Sequence, residues 1–295
     1  MVEVTSRTLL GMFLTRPSRE ANERILGVLG RAQALFPVEL FAFIFMSNHF
    51  HMLMRVLSSK RMAEFNGYLK SNLAKELGLL YDWKAKFWGA RYDSAPVGDS
   101  EAAQLLRFQY ILSNGCKENL VASPLDWPGV SSAPALYRGE TTQTGTWYDR
   151  TAQYYAKLRG VHQEFPSTQT VRLSPLPFLA ELTSQQRQAF MVNEVRELEA
   201  KTAERHRENN TRPVGARKLL RLNPHDKPKD FRSSPGPAFH AGTMEEFLAM
   251  KETRAAIIAA YRNASARLRQ GEENVEFPDG TFPPAAPFVE TRGPP

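Results

Sequence analysis

The sequence predicts an α+β fold, an antiparallel sheet with helices packed on it. Two observations carry this. The elements run strand, helix, strand, strand, helix, strand, helix. The two middle strands are separated only by the tight turn Met46-Ser47-Asn48, so they pair as a hairpin and not through a parallel crossover. That order is the ferredoxin-like split arrangement with one added helix.

Val2 to Thr8 alternates Val2, Val4 and Ser6 against Glu3 and Thr5, as a first strand should. Ser18 is placed to cap a helix whose apolar positions Ile25, Val28, Leu29 and Ala32 follow helical spacing, and Pro37 ends it. Val38 to Phe45 is a nearly continuous apolar run, the pattern of a central strand covered on both faces. The next strand begins at His49. Ser59 opens a second helix with Met62, Phe65, Leu69, Leu73 and Leu77 on its buried stripe and Gly78 near its end. Phe87 to Val97 reads as a further strand with Arg91 and Tyr92 in its middle. Asp99 or Ser100 then caps a third helix with Glu101 in its first turn, Leu105, Phe108 and Leu112 as its core stripe, and Gly115 as its stop.

Beyond about Leu136, Pro, Ser, Thr and Gly become frequent. The expected division is 1–137 as the folded sheet domain, 138–270 as a mostly helical or irregular extension, and 271–295 as a Pro-rich disordered tail. Within the extension, a helix is expected from Ser184 to about His206. Thr243-Met244-Glu245-Glu246 reads as a capping box before a helix through about Leu268. Between them lies a basic segment, 212–232, which suits either a DNA backbone or a solvated linker.

The net charge of +7 and pI near 9.5 favour polyanionic partners. Cys116 is the single cysteine, which excludes an intrachain disulfide framework and a four-cysteine zinc site and fits a reducing compartment. No charged leader precedes an apolar core at the N-terminus, and no apolar run is long enough to span a bilayer. A cytoplasmic protein is expected.

Chemistry concentrates in the hairpin. On its second strand His49, His51, Leu53 and Arg55 share one face, and Phe50, Met52, Met54 and Val56 the other. Two imidazoles at i and i+2 on a rigid strand can reach one divalent metal ion, although a satisfied surface pair has the same spacing. On the third helix Tyr110 and Asn114 project together, with Arg107 and Lys117 on the same side. A phenol is a poor nucleophile at neutral pH, its pKa being about 10, and a nearby metal or cation would help it attack phosphorus. An amide oxygen from Asn114 beside two imidazoles would leave coordination positions open for phosphate, which suits Mg²⁺ or Mn²⁺. Tyr68 and Asn72 on the second helix repeat the same spacing, and the residues alone do not choose between the two pairs.

The run Phe45-Met46-Ser47-Asn48-His49-Phe50-His51-Met52-Leu53 resembles the His-hydrophobic-His motif of single-tyrosine HUH transposases of the IS200 type, and more closely that of the REP-associated tyrosine transposases. Val4-Thr5-Ser6-Arg7, Phe87-Trp88-Gly89-Ala90-Arg91-Tyr92, Tyr110-Ile111-Leu112-Ser113-Asn114 followed by Leu120-Val121, and Trp127-Pro128-Gly129-Val130-Ser131-Ser132 resemble the same family in the same order, over residues 1 to about 137. The resemblance implies a ferredoxin-like fold and selects Tyr110 over Tyr68, because the family's tyrosine follows the fourth strand. It implies that His49, His51 and Asn114 bind the metal. Tyr110 would attack single-stranded DNA at hairpin or repeat ends, forming a 5′-phosphotyrosine and a free 3′-hydroxyl, and rejoining would need no ATP. Ser47 and Gly115 stand where the family usually has proline, which bears on geometry and removes no chemical group.

For phosphates and base stacking, the candidates are Arg7, Lys60, Arg91, Tyr92 and Arg107. Two other functions compete with the transposase: a DNA-binding regulator of the same ancestry that does not cut, and a metal-dependent hydrolase, for which no carboxylate stands at ligand spacing near the histidines. No membrane partner is expected, and the sequence is compatible with a monomer or a homodimer.

Overall fold

A computed structural model describes residues 1–229 and 236–284. The first half follows the expected order: β1 (Val2–Arg7), α1 (Arg19–Leu35), β2 (Glu39–Phe45), β3 (His49–Arg55), α2 (Ser59–Leu80), β4 (Asp93–Pro96) and α3 (Glu101–Leu112). Then come α4 (Asn114–Lys117), α5 (Ala133–Tyr137), β5 (Thr142–Tyr148), α6 (Arg150–Leu158), β6 (Pro166–Arg172), α7 (Ser184–Glu208), α8 (Ala216–Leu219) and α9 (Met244–Arg269). Residues 230–232 of the basic segment and 285–295 of the expected tail lie outside the described residues.

The four-stranded sheet has the order β2-β3-β1-β4 with antiparallel neighbours, the ferredoxin-like arrangement. Strand alternation divides its side chains between two cores. Phe43, Phe45, Phe50, Met52 and Met54 face α1 and α2, while Phe41, Ile44 and Leu53 face α3. A register shift between Leu40 and Ala42 lets Phe41 and Ala42 both enter the α3-side core. Burying each of these large side chains contributes about 1.5–3 kcal/mol, which explains why the hairpin forms the middle of the molecule.

Several boundaries differ from the sequence reading. The strand expected over 87–97 pairs with β1 only along β4, and Trp88 makes a single bridge to Thr8. Trp88 turns inward, its indole N–H donating to the Lys70 carbonyl at 2.8 Å, so the chain around it leaves the ladder, and Arg91 and Tyr92 lie outside the strand. Ser100, not Asp99, caps α3, its hydroxyl accepting from the Ala103 N–H at 3.2 Å. Ile111 joins Phe108 and Leu112 in the buried stripe, whereas Leu105 is only half-buried. Gly115 does not stop the helix. It lies inside the one-turn α4, where a Cβ would stand 3.0 Å from Val121 Cγ2 and 3.3 Å from the Trp127 ring.

The region after 137 holds more strand than expected. β5 and β6 form an antiparallel hairpin laid on α1, and Val171 and Leu173 join the α1-side core. Gly27 permits that approach: a Cβ there would sit 2.1 Å from the Thr146 carbonyl oxygen. Gly27→Val is therefore expected to lower stability by about 3 kcal/mol in urea unfolding, the upper end of ordinary overpacking, because the obstacle is backbone. A midpoint unchanged from wild type would show that the hairpin does not rest on α1.

Both sheet edges are covered by later residues, which prevents edge-to-edge association. Phe45 N–H donates to the Val130 carbonyl at 2.8 Å and Ser174 N–H to the Leu40 carbonyl at 2.7 Å, closing the β2 side. On the β4 side His240 N–H donates to the Pro96 carbonyl at 2.8 Å. Thr243 caps α9 as expected, accepting from the Glu246 N–H at 3.1 Å. The return half of a capping box is absent, because the Glu246 carboxylate accepts instead from the Ser100 N–H at 3.0 Å, the Ser100 hydroxyl at 2.7 Å and the Gly242 N–H at 2.7 Å. Among the described residues no helix is long and apolar enough to cross a membrane.

Candidate active site

The sheet face toward α3 assembles the site. In register, Arg7 lies opposite His49 and Thr5 opposite His51, so Glu3, Thr5 and Arg7 of β1 share a face with both histidines. The two imidazoles lie edge to face, with centroids 5.0 Å apart, and Tyr110 of α3 packs on His51 at 5.5 Å.

Each imidazole is held through Nδ1. His49 Nδ1 lies 2.7 Å from Asn48 Oδ1, and that amide is oriented by its own N–H donating to the Gly11 carbonyl at 3.1 Å. His51 Nδ1 lies 2.8 Å from Glu3 Oε1. Both partners are acceptors, so each Nδ1 donates its N–H to them, and each Nε2 is left without a bond to them. Burial, then the neighbouring His51 and Arg7, push the His49 pKa well down against the opposing pull of the nearby Asn114 amide, so this ring is neutral at physiological pH.

Asn114 is 1% exposed, and its Oδ1 is buried without a hydrogen-bond partner. An orphaned amide oxygen beside two free imidazole nitrogens is costly for an empty polar pocket, and it suits a divalent cation. The donor set therefore fits the metal that the motif implies. Among the described residues no cluster of three or more His, Cys, Asp or Glu could hold a metal ion, so any metal here would need the amide.

Arg107 Cζ lies 3.7 Å, and Lys117 Nζ 4.2 Å, from the centre of the Tyr110 ring. Arg107 is also committed to Glu3, with Nε 2.8 Å from Oε2 and Nη2 donating to Oε1 at 3.0 Å. Glu3 receives a third neighbour, His240 Nε2, at 2.7 Å from Oε2. These groups open on a cavity of about 570 Å³ lined by Arg7, Asn48, His49, His51, Tyr110, Asn114 and Glu118, with Val214, Leu219 and Leu222 on the far wall.

The structure thus brings together His49, His51, Asn114, Tyr110 and Arg7, with Arg107 behind them as the partner of Glu3. Tyr68 is on the other side of the sheet, packed on Phe36 at 5.8 Å, and the Asn72 amide donates to its carbonyl. Lys60 follows the far end of β3, six residues and about 20 Å of strand from His49. Tyr92 is half-buried against the α1-side core, and Arg91 is exposed beside it; neither lines the cavity.

Sequence reading missed Glu3, Glu118, His240 and the far wall. Glu3 carried a usable signal, an acid alternating onto the same strand face as Arg7. The far wall had one too, leucines recurring inside a basic run. His240 had none, since only the tertiary pairing beside β4 brings it to Glu3.

Residues 16–114 match the family model for Transposase IS200 like, a segment that runs from the approach to α1 through Asn114 and contains both histidines and Tyr110. The motif resemblance read from the sequence agrees with this match, which is confined to that segment. Among solved structures the chain is similar to one described as the REP-associated tyrosine transposase bound to a REP hairpin, at 17% identity and a TM-score of 0.31, covering 44% of this chain and 75% of that one. No curated protein matches the chain.

Proposed function

We propose that this protein is a single-tyrosine strand transferase, cutting and rejoining single-stranded DNA at hairpin or repeat ends through Tyr110. The observation that carries the reading is the packing of Tyr110 on His51, in one cavity with His49 and the unpartnered Asn114 oxygen. A helix is a precise platform for a nucleophile, and this one faces the donor set directly.

His49 Nε2, His51 Nε2 and Asn114 Oδ1 are the groups that hold Mg²⁺ or Mn²⁺ in this reading. A divalent ion held there would supply positive charge to polarise a phosphodiester and stabilise its transition state. Tyr110 Oη attacks phosphorus and loses its proton; the bond from phosphorus to the 3′ oxygen breaks, and that oxygen leaves as the 3′-hydroxyl. The DNA 5′ end remains as a phosphotyrosine ester, and reversal by another 3′-hydroxyl rejoins strands without an external energy source. Arg107 and Lys117 clamp the Tyr110 ring, and Arg7 lines the cavity that a phosphodiester would enter.

The test is incubation with labelled single-stranded hairpins from repeats flanking the gene, with Mn²⁺ or Mg²⁺, resolved on a denaturing gel. A covalent protein–DNA band is expected, lost on chelation and in Tyr110→Phe and retained in Tyr68→Phe. Binding without a band would favour the non-cutting regulator. Cleavage that survives Tyr110→Phe without a band would favour a hydrolase, for which Glu118 on the cavity wall is the acid to examine.

A further inference from the structure

We infer that the basic segment 212–229 is a backbone track for single-stranded DNA, folded across the mouth of the tyrosine cavity. The inference rests on the proposed DNA chemistry for its ligand, and on the placement of this segment for its position. After α7 the chain returns to the site and is tied down on both sides of it. Val214 N–H donates to the Asn119 carbonyl and Gly215 N–H to the Leu120 carbonyl, each at 2.9 Å, just beyond the short helix that begins with Asn114. At the other side the Asp226 carbonyl accepts from the Phe13 N–H at 2.8 Å, and the Leu220 carbonyl from Arg16 Nη1 at 3.0 Å. His225 Nε2 also lies 2.8 Å from the Tyr81 carbonyl oxygen. A solvated linker would have no reason to make these long-range bonds.

Between the anchors the side chains divide by chemistry. Val214, Leu219, Leu222 and Pro228 line the cavity. Six of the eighteen residues are Lys or Arg (Arg212, Arg217, Lys218, Arg221, Lys227 and Lys229) against a single acid, Asp226. All six are exposed, and none has an ion-pair partner among the described residues. A row of unpaired cations beside a phosphodiester-cutting cavity repels itself unless a polyanion covers it, and a single strand has matching charge and flexibility.

The test uses the full chain carrying Tyr110→Phe throughout, so that binding is measured without cutting. Arg217→Gln, Lys218→Gln and Arg221→Gln are combined, and affinity for a fluorescent mixed-sequence single-stranded oligonucleotide is followed against NaCl concentration. Loss of three phosphate contacts should reduce the slope of log affinity on log salt by about 2, at about 0.7 per contact, and weaken binding at low salt by about tenfold or more. A control removes the same charge at Lys157, Arg196 and Lys251, exposed residues outside the segment 212–229. Thermal melting of both variants establishes that each is folded.

A slope that falls only in the variant of the segment supports the track. An unchanged slope, or the same fall in the control, overturns it. Tighter binding after neutralisation also overturns it, since the segment would then be a cover that excludes DNA. Because the adduct assay is separate, the two readings can fail independently. An adduct with an unchanged slope removes only the track, and a reduced slope without an adduct keeps the track and removes the tyrosine chemistry.

Discussion

Glu3→Gln is expected to lower the unfolding free energy at neutral pH by about 3–5 kcal/mol, the usual loss when one partner of a buried charge cluster is removed. Glu3 is 3% exposed and stands at the junction of β1, β3, α3 and the segment leading to α9, with His51, Arg107 and His240 around its two oxygens. Glutamine keeps the shape and removes the charge, leaving the partly buried Arg107 without its counter-charge. Burial alone would raise the Glu3 carboxyl pKa. The contacts with His240 and His51, together with the Arg107 charge, outweigh it and hold the group well below the usual carboxylate range.

The sign of the pH effect follows. A carboxyl whose pKa falls on folding contributes stability above its unfolded value, about 4.5, and loses that contribution as pH drops further. Denaturant curves of wild type and Glu3→Gln should therefore be well separated near neutrality and converge as pH falls below about 4.5. A constant gap across that range would show that the carboxylate charge is not what the cluster uses. On the proposed metal site, the same variant should bind Mn²⁺ about 10–100-fold more weakly by calorimetry, because His51 loses the carboxylate charge that orients it. Equal affinity would remove Glu3 from the support of the site.

Glu76→Gln is expected to cost about 3 kcal/mol or more for the same reason on the other side of the sheet. Glu76 of α2 is 3% exposed; Arg150 Nε of α6 donates to its Oε1 at 2.7 Å, and Arg24 Nη1 of α1 to its Oε2 at 3.4 Å. Arg150 also pairs with Glu76 through Nη2, and its guanidinium lies 4.7 Å from the Tyr148 ring centre. One carboxylate thus joins two helices of the transposase-like segment to the helix inside the later hairpin. Glu76→Met combined with Arg150→Met should recover much of the loss in urea unfolding, since an apolar pair leaves fewer buried charges unmatched. A double variant no better than the single one would mean that packing, and not charge balance, is what Glu76 provides.

Local regularity accounts for how far the sequence could be read. The hairpin around Ser47, the stripes of α1 and α2, and the caps at Ser18 and Thr243 are decided by spacing and by residue chemistry within a few positions. Such signals survive into the fold because nearby residues meet whatever the rest of the chain does. The strand shortened around Trp88 was illegible for the opposite reason, since its indole is claimed by Lys70 on another element. The β5–β6 hairpin had alternating Thr residues as a signal, but its partner surface, the glycine-bearing face of α1, lies more than a hundred residues earlier.

For the site, the sequence by itself determined the chemical groups and their local faces: two imidazoles on one side of a strand, and a tyrosine with an amide on one side of a helix. It left Tyr110 and Tyr68 equivalent by spacing, and only the family resemblance separated them. Tertiary structure decided which tyrosine meets the histidines, by placing α3 and α2 on opposite faces of the sheet. It also decided the Glu3 cluster and the apolar far wall, because both depend on residues distant in sequence, which no local period can bring together.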